Sequence, residues 1–191
     1  MRVRHVALAT LLTAVALIAP TVAQQAGTLR TPDVIFVPTP PEVVDAMLKM
    51  ANVTAKDVVY DLGSGNGIIV VTAAEKYGAR AVGIDIDPQR VKEANERVQK
   101  AGVEDKVTIL NEDLFETDIS AATVVTLYLL PSLNQKLIPK LNKELKPGTR
   151  IVSQSFDMGD DYPPEKTQDV NGRSVYMWTI PMKKKQELGA S

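Results

Sequence analysis

Three aspartates, Asp61, Asp85 and Asp113, each sit at the end of an apolar run, and the first opens the stretch DLGSGNG at residues 61–67. A glycine-rich turn between a strand and a helix lets a ligand approach backbone amides at a helix start. The glycines here, Gly63, Gly65 and Gly67, are spaced G-x-G-x-G. The dinucleotide fingerprint requires G-x-G-x-x-G, and Ile68 stands where its third glycine would be. The Gly-Lys-Ser/Thr ending of a P-loop is absent as well. Asp61 places a carboxylate beside the turn, where it would repel a pyrophosphate and attract a cationic group. Read one at a time, these features have plainer accounts: a tight strand-to-helix connection, a cap for the helix opening at Pro88, and a surface acid.

S-adenosylmethionine has the charges that this set asks for, a sulfonium and an ammonium beside a carboxylate. The glycine amides are expected to meet that carboxylate, with Asp61 balancing the ammonium. Asp85, 24 residues after Asp61, is placed to accept from both ribose hydroxyls, and Asp113 to take the adenine amino group beside apolar Leu114.

Composition limits the other chemistries. The chain has 191 residues with 45% hydrophobic and 24% charged, the balance of an ordinary globular domain. Its formal charge of −1 gives no overall field to draw nucleic acid. It has no cysteine, and His5 is its one histidine. Thiolate chemistry is therefore excluded, no metal site is expected, and a histidine base or Ser-His-Asp triad is excluded once His5 is removed.

Removal of His5 is expected because of how the chain begins. Arg2 and Arg4 precede an apolar run from Val6 to Ala19, followed by Pro20 and Thr21-Val22-Ala23. A basic start, a short apolar stretch and small residues before a cut form a secretory signal. Residues 1–23 are thus read as a signal peptide cut near Ala23, which exports the domain to a periplasmic or secreted location. The alternative is an uncut membrane anchor, with residues 6–19 in the bilayer. Residues 24–36 are read as a linker, 37–182 as the folded domain and 183–191 as a polar tail.

Within the domain, strands and helices must alternate to bring the three aspartates together. VPTPPE at 37–42 predicts a rigid entry, with Thr39 capping a helix that runs to about Met50. Strands are predicted at 57–61, 81–85, 107–110, 123–130 and 149–153. Helices are predicted from Ile68 to Tyr77, from Pro88 to Gly102, and from Leu133 to Leu145 with a kink or break at Pro139. Asn171-Gly172 between 167–170 and 173–180 predicts a tight hairpin. The expected fold class is α/β: a doubly wound, mostly parallel seven-stranded sheet with a C-terminal antiparallel hairpin, its cofactor crevice at the carboxyl ends of the strands.

VVYDLGSGNG, GIDIDP and NEDLFE resemble the successive cofactor motifs of class I S-adenosylmethionine-dependent methyltransferases. The similarity covers about 37–180. VPTP, DLGSGNG and VVTLYLLPSLNQKLIPKLNKELKPGTRIVSQSF together resemble the seven-strand protein-lysine methyltransferases, including the mitochondrial enzymes, and small bacterial methyltransferase-domain proteins. The resemblance implies methyl transfer from S-adenosylmethionine to a protein lysine, with a small molecule or a nearly inactive binding module as alternatives. It carries the cofactor set to Pro38, Thr39, Asp61, Gly63, Gly65, Asn66, Gly67, Asp85, Ile86, Asp113, Leu114 and Leu129, with Pro38 and Thr39 over the methionine end. Related chains often have an acid where Asn66 stands and an arginine where Ile68 stands. Thr39 and Tyr128 are the candidates for the catalytic end; Tyr128 either orients an amine or packs. The Asn-Pro-Pro-Tyr type motif of nucleic-acid amino methyltransferases is replaced by Leu127-Tyr128-Leu129-Leu130-Pro131, so no nucleic-acid partner is expected. FDMGDDYPPE forms an acidic loop that either attracts a lysine-bearing substrate or is simply solvated. A monomer is expected.

Overall fold

The computed structural model describes residue 31 and residues 36–188. The expected signal segment and most of the expected linker lie outside the described residues. Helix α1 covers Pro41–Met50. Strand β1 (Val58–Leu62), helix α2 (Ile68–Tyr77), strand β2 (Arg80–Asp85), helix α3 (Pro88–Ala101) and strand β3 (Val107–Asn111) follow. Strand β4 (Val124–Leu127), helix α4 (Pro131–Glu144) and strand β5 (Arg150–Gln154) complete the parallel part. Strands β6 (Lys166–Val170) and β7 (Arg173–Thr179) form a hairpin, and a single turn of helix, α5 (Lys185–Leu188), lies in the polar tail.

The sheet has seven strands in the order β3-β2-β1-β4-β5-β7-β6. β1 pairs in parallel with β2 and β4, and the strand order reverses about it. That reversal opens a crevice at the carboxyl edge between the two halves of the sheet. β7 pairs antiparallel with both β5 and β6. The hairpin turn has Asn171 at φ 53° and Gly172 at φ 79°, both in the left-handed region that a two-residue turn of this hand requires.

Each face of the sheet carries its own apolar core. Val43, Met47, Val70, Val98 and Val152 pack on the face covered by α1, α2 and α3. Leu127, Leu137, Leu141, Ile151 and Trp178 pack on the face covered by α4. All four residues of β4 are buried, as its unbroken apolar run predicts, but the strand ends at Leu127 rather than Leu130. Leu129 then turns into the core while Leu130 stands exposed.

Two helix expectations are corrected. Pro40, and not Thr39, is the residue that precedes α1, and no side chain caps that helix. Thr39 is left buried and free to face elsewhere. Pro139 does not break α4, which runs unbroken through it for 14 residues. Pro139 lies on the exposed side of the helix, so the carbonyl that loses its amide partner can turn to water.

At the edge opposite the crevice, Asp57 ties four segments together. Its carboxylate accepts from the Thr54 amide (2.8 Å), the Thr123 hydroxyl (2.7 Å) and Arg150 Nη2 (2.8 Å). Arg150 also donates to the Ala51 carbonyl at the end of α1. Burial pushes the Asp57 carboxyl up, but the bonds from Thr123, Thr54 and Arg150 outweigh it and hold the group below the usual 3.8. A depressed carboxylate stabilises the fold above the unfolded-state value and loses that contribution as pH falls through the folded-state value. Asp57→Ala is expected to cost about 1–3 kcal/mol in urea unfolding at pH 7. The difference between variant and wild type should shrink below about pH 3.8. A difference that stays constant from pH 7 to pH 3 would remove the ionised network.

Candidate functional site

The carboxyl ends of β1, β2 and β4 and the segment ahead of α1 enclose a cleft of about 490 Å³. Thr39, Asp61, Gly63, Asn66, Asp85 and Ile86 line it, as do Asp113, Leu114, Tyr128 and Leu129. Of the expected set, Pro38, Gly65 and Gly67 do not line it. Pro38 is exposed, and the two glycines act on the turn from within.

Gly67 has φ 74°, and a Cβ there would sit 3.0 Å from Cβ of Ala94 on α3. It therefore does the close helix packing that the third glycine does in a dinucleotide fingerprint, from one position earlier. Gly65 lies against the ring of Phe36, and any Cβ at that position would collide with the ring. The amides expected to meet a ligand carboxylate bond within the chain here. The Gly63 and Ser64 amides both donate to the Ile84 carbonyl at 2.9 Å, Gly67 donates to the Ser64 carbonyl, and Gly65 donates to Asp85. The turn spends those four amides on its own shape, because its chain must bend back over the end of β2.

Asp85 is the centre of that arrangement. Its Oδ2 accepts from the Gly65 amide at 2.7 Å and its Oδ1 from the Asp87 amide at 2.9 Å. Each oxygen keeps a lone pair for a hydroxyl in the cleft. Burial pushes the Asp85 carboxyl above its usual value against the pull of these two amides. The helix cap is Asp87, whose Oδ1 accepts from the Gln89 amide at 2.8 Å, so Asp85 is not needed in that role.

Asp61 is buried to 3% exposure on β1, and Thr126 of β4 donates its hydroxyl to it at 2.7 Å. Burial, with the neighbouring Asp85 charge adding to it, drives its carboxyl up to about 7 despite the Thr126 bond. Beside it, Ser64 Oγ and Asn66 Oδ1 are buried without a hydrogen-bond partner. An acid held near neutrality and two orphaned oxygens fit a cationic donor such as an ammonium. Asn66 supplies an acceptor oxygen where related chains have an acid, and its backbone carbonyl holds Arg97 at 2.9 Å.

The other end of the cleft is apolar. The rings of Tyr128 and Phe156 stack with centroids 6.3 Å apart and an angle of 22°. Leu130 and Leu133 complete that wall. Among the described residues three large apolar side chains are exposed, Phe36 (38%), Val37 (49%) and Leu130 (44%), and all three line the cleft. Among the described residues, Arg90 is the one lysine or arginine that lines the cleft. It is paired with Glu93 at 2.7 Å and lies 4.8 Å over the Phe36 ring.

Several of these residues are hidden in the sequence. Phe36 falls in what reads as a linker, and Arg90 carries no motif of its own. Phe156 comes to the cleft only because Ser155 takes φ 63° after β5. The one available signal for Phe156 is its position just past the end of a core strand.

A family model described as the ANTKMT methyltransferase domain matches residues 61–166. A protein of Saccharolobus islandicus named protein-lysine N-methyltransferase is 46% identical over 153 residues, 78% of this chain and 95% of that protein. A mouse (Mus musculus) protein named adenine nucleotide translocase lysine N-methyltransferase is 37% identical over 99 residues, and the match spans 51% of this chain and less than half (43%) of that protein. A crystal structure from Salinibacter ruber, described as an RNA methyltransferase in complex with S-adenosyl-L-homocysteine, superposes with a TM-score of 0.74 at 58% identity. It covers 76% of this chain and 94% of its own. Sheet order, glycine turn, strand-end aspartates and these matches agree: the chain belongs to the ANTKMT methyltransferase domain family, within the class I S-adenosylmethionine-dependent methyltransferases.

Proposed function

We propose that this chain methylates the side-chain amine of a lysine in a protein, with S-adenosylmethionine as donor. The observation that carries this reading is the division of the cleft. Its glycine-turn end holds the carboxylates and orphaned oxygens; its β4–β5 end holds an aromatic and aliphatic wall with no cation among its described residues. Asp61, Asn66 and Ser64 would hold the ammonium of the donor, Asp85 its ribose hydroxyls and Asp113 its adenine edge.

When bound, the sulfonium supplies an electrophilic methyl: the amine nitrogen forms the new C–N bond, the C–S bond breaks with its electron pair going to sulfur, and the nitrogen then loses a proton to water. The chain's own part is alignment and the exclusion of water. Tyr128, Phe156, Leu130 and Leu133 present an apolar slot that suits the aliphatic stem of a lysine. They also lower the pKa of its amine by desolvation, which favours the neutral nucleophile. The lysine names of the Saccharolobus islandicus and mouse relatives support the same acceptor. The description of the Salinibacter ruber structure raises RNA instead. Against RNA stands the charge of the cleft: among the described residues Arg90 is the lone basic lining residue and is ion-paired, while Asp87, Glu112 and Asp113 border the same space. Phosphates are drawn to the opposite distribution.

Incubation of the chain with methyl-labelled donor and a total extract of its source should label a protein band, with the mass shift mapping to lysine. Label confined to RNA or to small molecules overturns the lysine reading.

Asp85→Ala should weaken donor binding at least about tenfold by calorimetry, the scale of one lost charge-assisted hydrogen bond. Unchanged affinity would remove the ribose assignment.

Donor binding should also depend on pH through Asp61. With its carboxyl raised to about 7, the free protein carries a proton there at lower pH, and an incoming ammonium favours its loss. Affinity is therefore expected to fall by up to about tenfold per unit below pH 7 and to level off above it, with proton release on binding. Asp61→Asn should flatten the profile; an equally steep profile in that variant would assign the proton to another group.

A further inference from the structure

The buried side-chain atoms without a hydrogen-bond partner belong, among the described residues, to Ser64, Asn66, Asn134 and Gln154. All four residues stand at the carboxyl edge of the sheet. Ser64 and Asn66 are in the glycine turn and are accounted for by the donor. Asn134, in the first turn of α4, is partly accounted for: its Nδ2 donates to the Phe156 carbonyl at 3.1 Å and the Asp157 carbonyl at 3.2 Å, pinning the turn after β5. Gln154 has no such account. It is wholly buried, and neither Nε2 nor Oε1 has a partner. Leaving both ends of a carboxamide unpaired in a core is costly, and a leucine of similar volume would carry none of that cost.

The sheet register shows what lies next to it. β4 and β5 pair Thr126 with Val152 and Leu127 with Ser153. Tyr128 is the first residue past β4 and Gln154 the last of β5, each one step beyond the Leu127–Ser153 pair. Alternation along β5 puts Gln154 on the face of Val152, and the same alternation carried one residue past β4 would put Tyr128 on the face of Thr126. Tyr128 lines the apolar end of the cleft, and Phe156, two residues after Gln154, stacks on it. The turn between them is tight. The Phe156 amide donates to the Gln154 carbonyl at 2.8 Å, with Ser155 in the left-handed region between them.

We propose that Gln154 is a positioning residue for the methyl acceptor, acting through Tyr128. On acceptor entry, Gln154 Oε1 accepts from the Tyr128 hydroxyl. That bond fixes the hydroxyl proton inward and leaves the phenolic oxygen to accept an N–H of the neutral amine, turning the nitrogen lone pair toward the methyl group. The inference rests on the reading of the apolar end as the acceptor's place. It extends that reading by naming the pair that aims the nucleophile.

The test is Gln154→Leu in the full chain, alone and combined with Tyr128→Phe. Three readouts are needed: thermal midpoint, donor affinity by calorimetry, and initial rate of label transfer from saturating donor into the acceptor that the wild type labels in the extract. Removing two orphaned atoms should raise the midpoint by about 2–5 °C. The transfer rate should fall at least about tenfold while donor affinity stays within about twofold, because the lost contact forms only with the acceptor in place. In the Tyr128→Phe background, Gln154→Leu should change the rate by less than about twofold, since the pair acts as one unit. A lowered midpoint, an unchanged rate, or rate losses that multiply in the double variant each overturn the proposal. A wild type that labels RNA or a small molecule and no lysine fails the lysine reading separately, and the Gln154 comparison is then decided on that acceptor.

Discussion

One carboxylate holds the site in shape. Asp85, at the end of β2, accepts from an amide of the glycine turn after β1 and from an amide of the loop that leads into α3. Two chain segments that would otherwise move separately are thereby fixed to a single side chain. The arrangement needs the carboxylate charged and partly dry, two demands that oppose each other. The two amides reconcile them, and the same oxygens retain lone pairs toward the cleft. Gly67 against Ala94 and Gly65 under Phe36 then follow, since the turn can close this tightly only where no Cβ intervenes.

The surrounding sheet makes that closure possible. The Asp57 network locks the opposite edge, joining the ends of β1, β4, β5 and α1 through Arg150 and Thr123. With one edge clamped, the other can carry features that cost stability: an acid raised to about 7 at Asp61, four residues with orphaned polar atoms, and Ser155 in the left-handed region. The costly features lie at the edge where open parallel sheets bind their ligands, outside the carboxyl ends of the strands.

Much of this can be read from the residues in order. Gly78 and Gly102 stop α2 and α3, Pro88 starts α3, and Asn171-Gly172 turns the hairpin, because each depends on local backbone preference. The strand-end aspartates are legible for a similar reason, since position at the end of an apolar run is itself a sequence feature. What is not legible depends on three-dimensional closure. Thr39 as a cap fails because the helix begins one residue later, and Pro139 as a break fails because exposure of that side of α4 is not visible in the pattern. The glycine amides suggest a ligand, yet the fold of the turn over β2 engages all three of them and that of Ser64. Phe36 and Phe156 reach the cleft from far along the chain, brought by the segment before α1 and by the turn after β5.

The two ends of the cleft are written in separate parts of the chain. Most donor-side residues fall within 61–114, with Phe36 lying against Gly65 of that stretch, whereas the apolar wall at the other end comes from 128–133 and Phe156. Substitutions that reshape the acceptor slot therefore leave the donor-binding stretch intact. A lineage built on this fold can change what it methylates by drift in two short segments while keeping the same donor throughout. Descendants with nearly identical glycine turns and strand-end acids can then differ in substrate class, and likeness across the donor half is weak evidence of a shared acceptor.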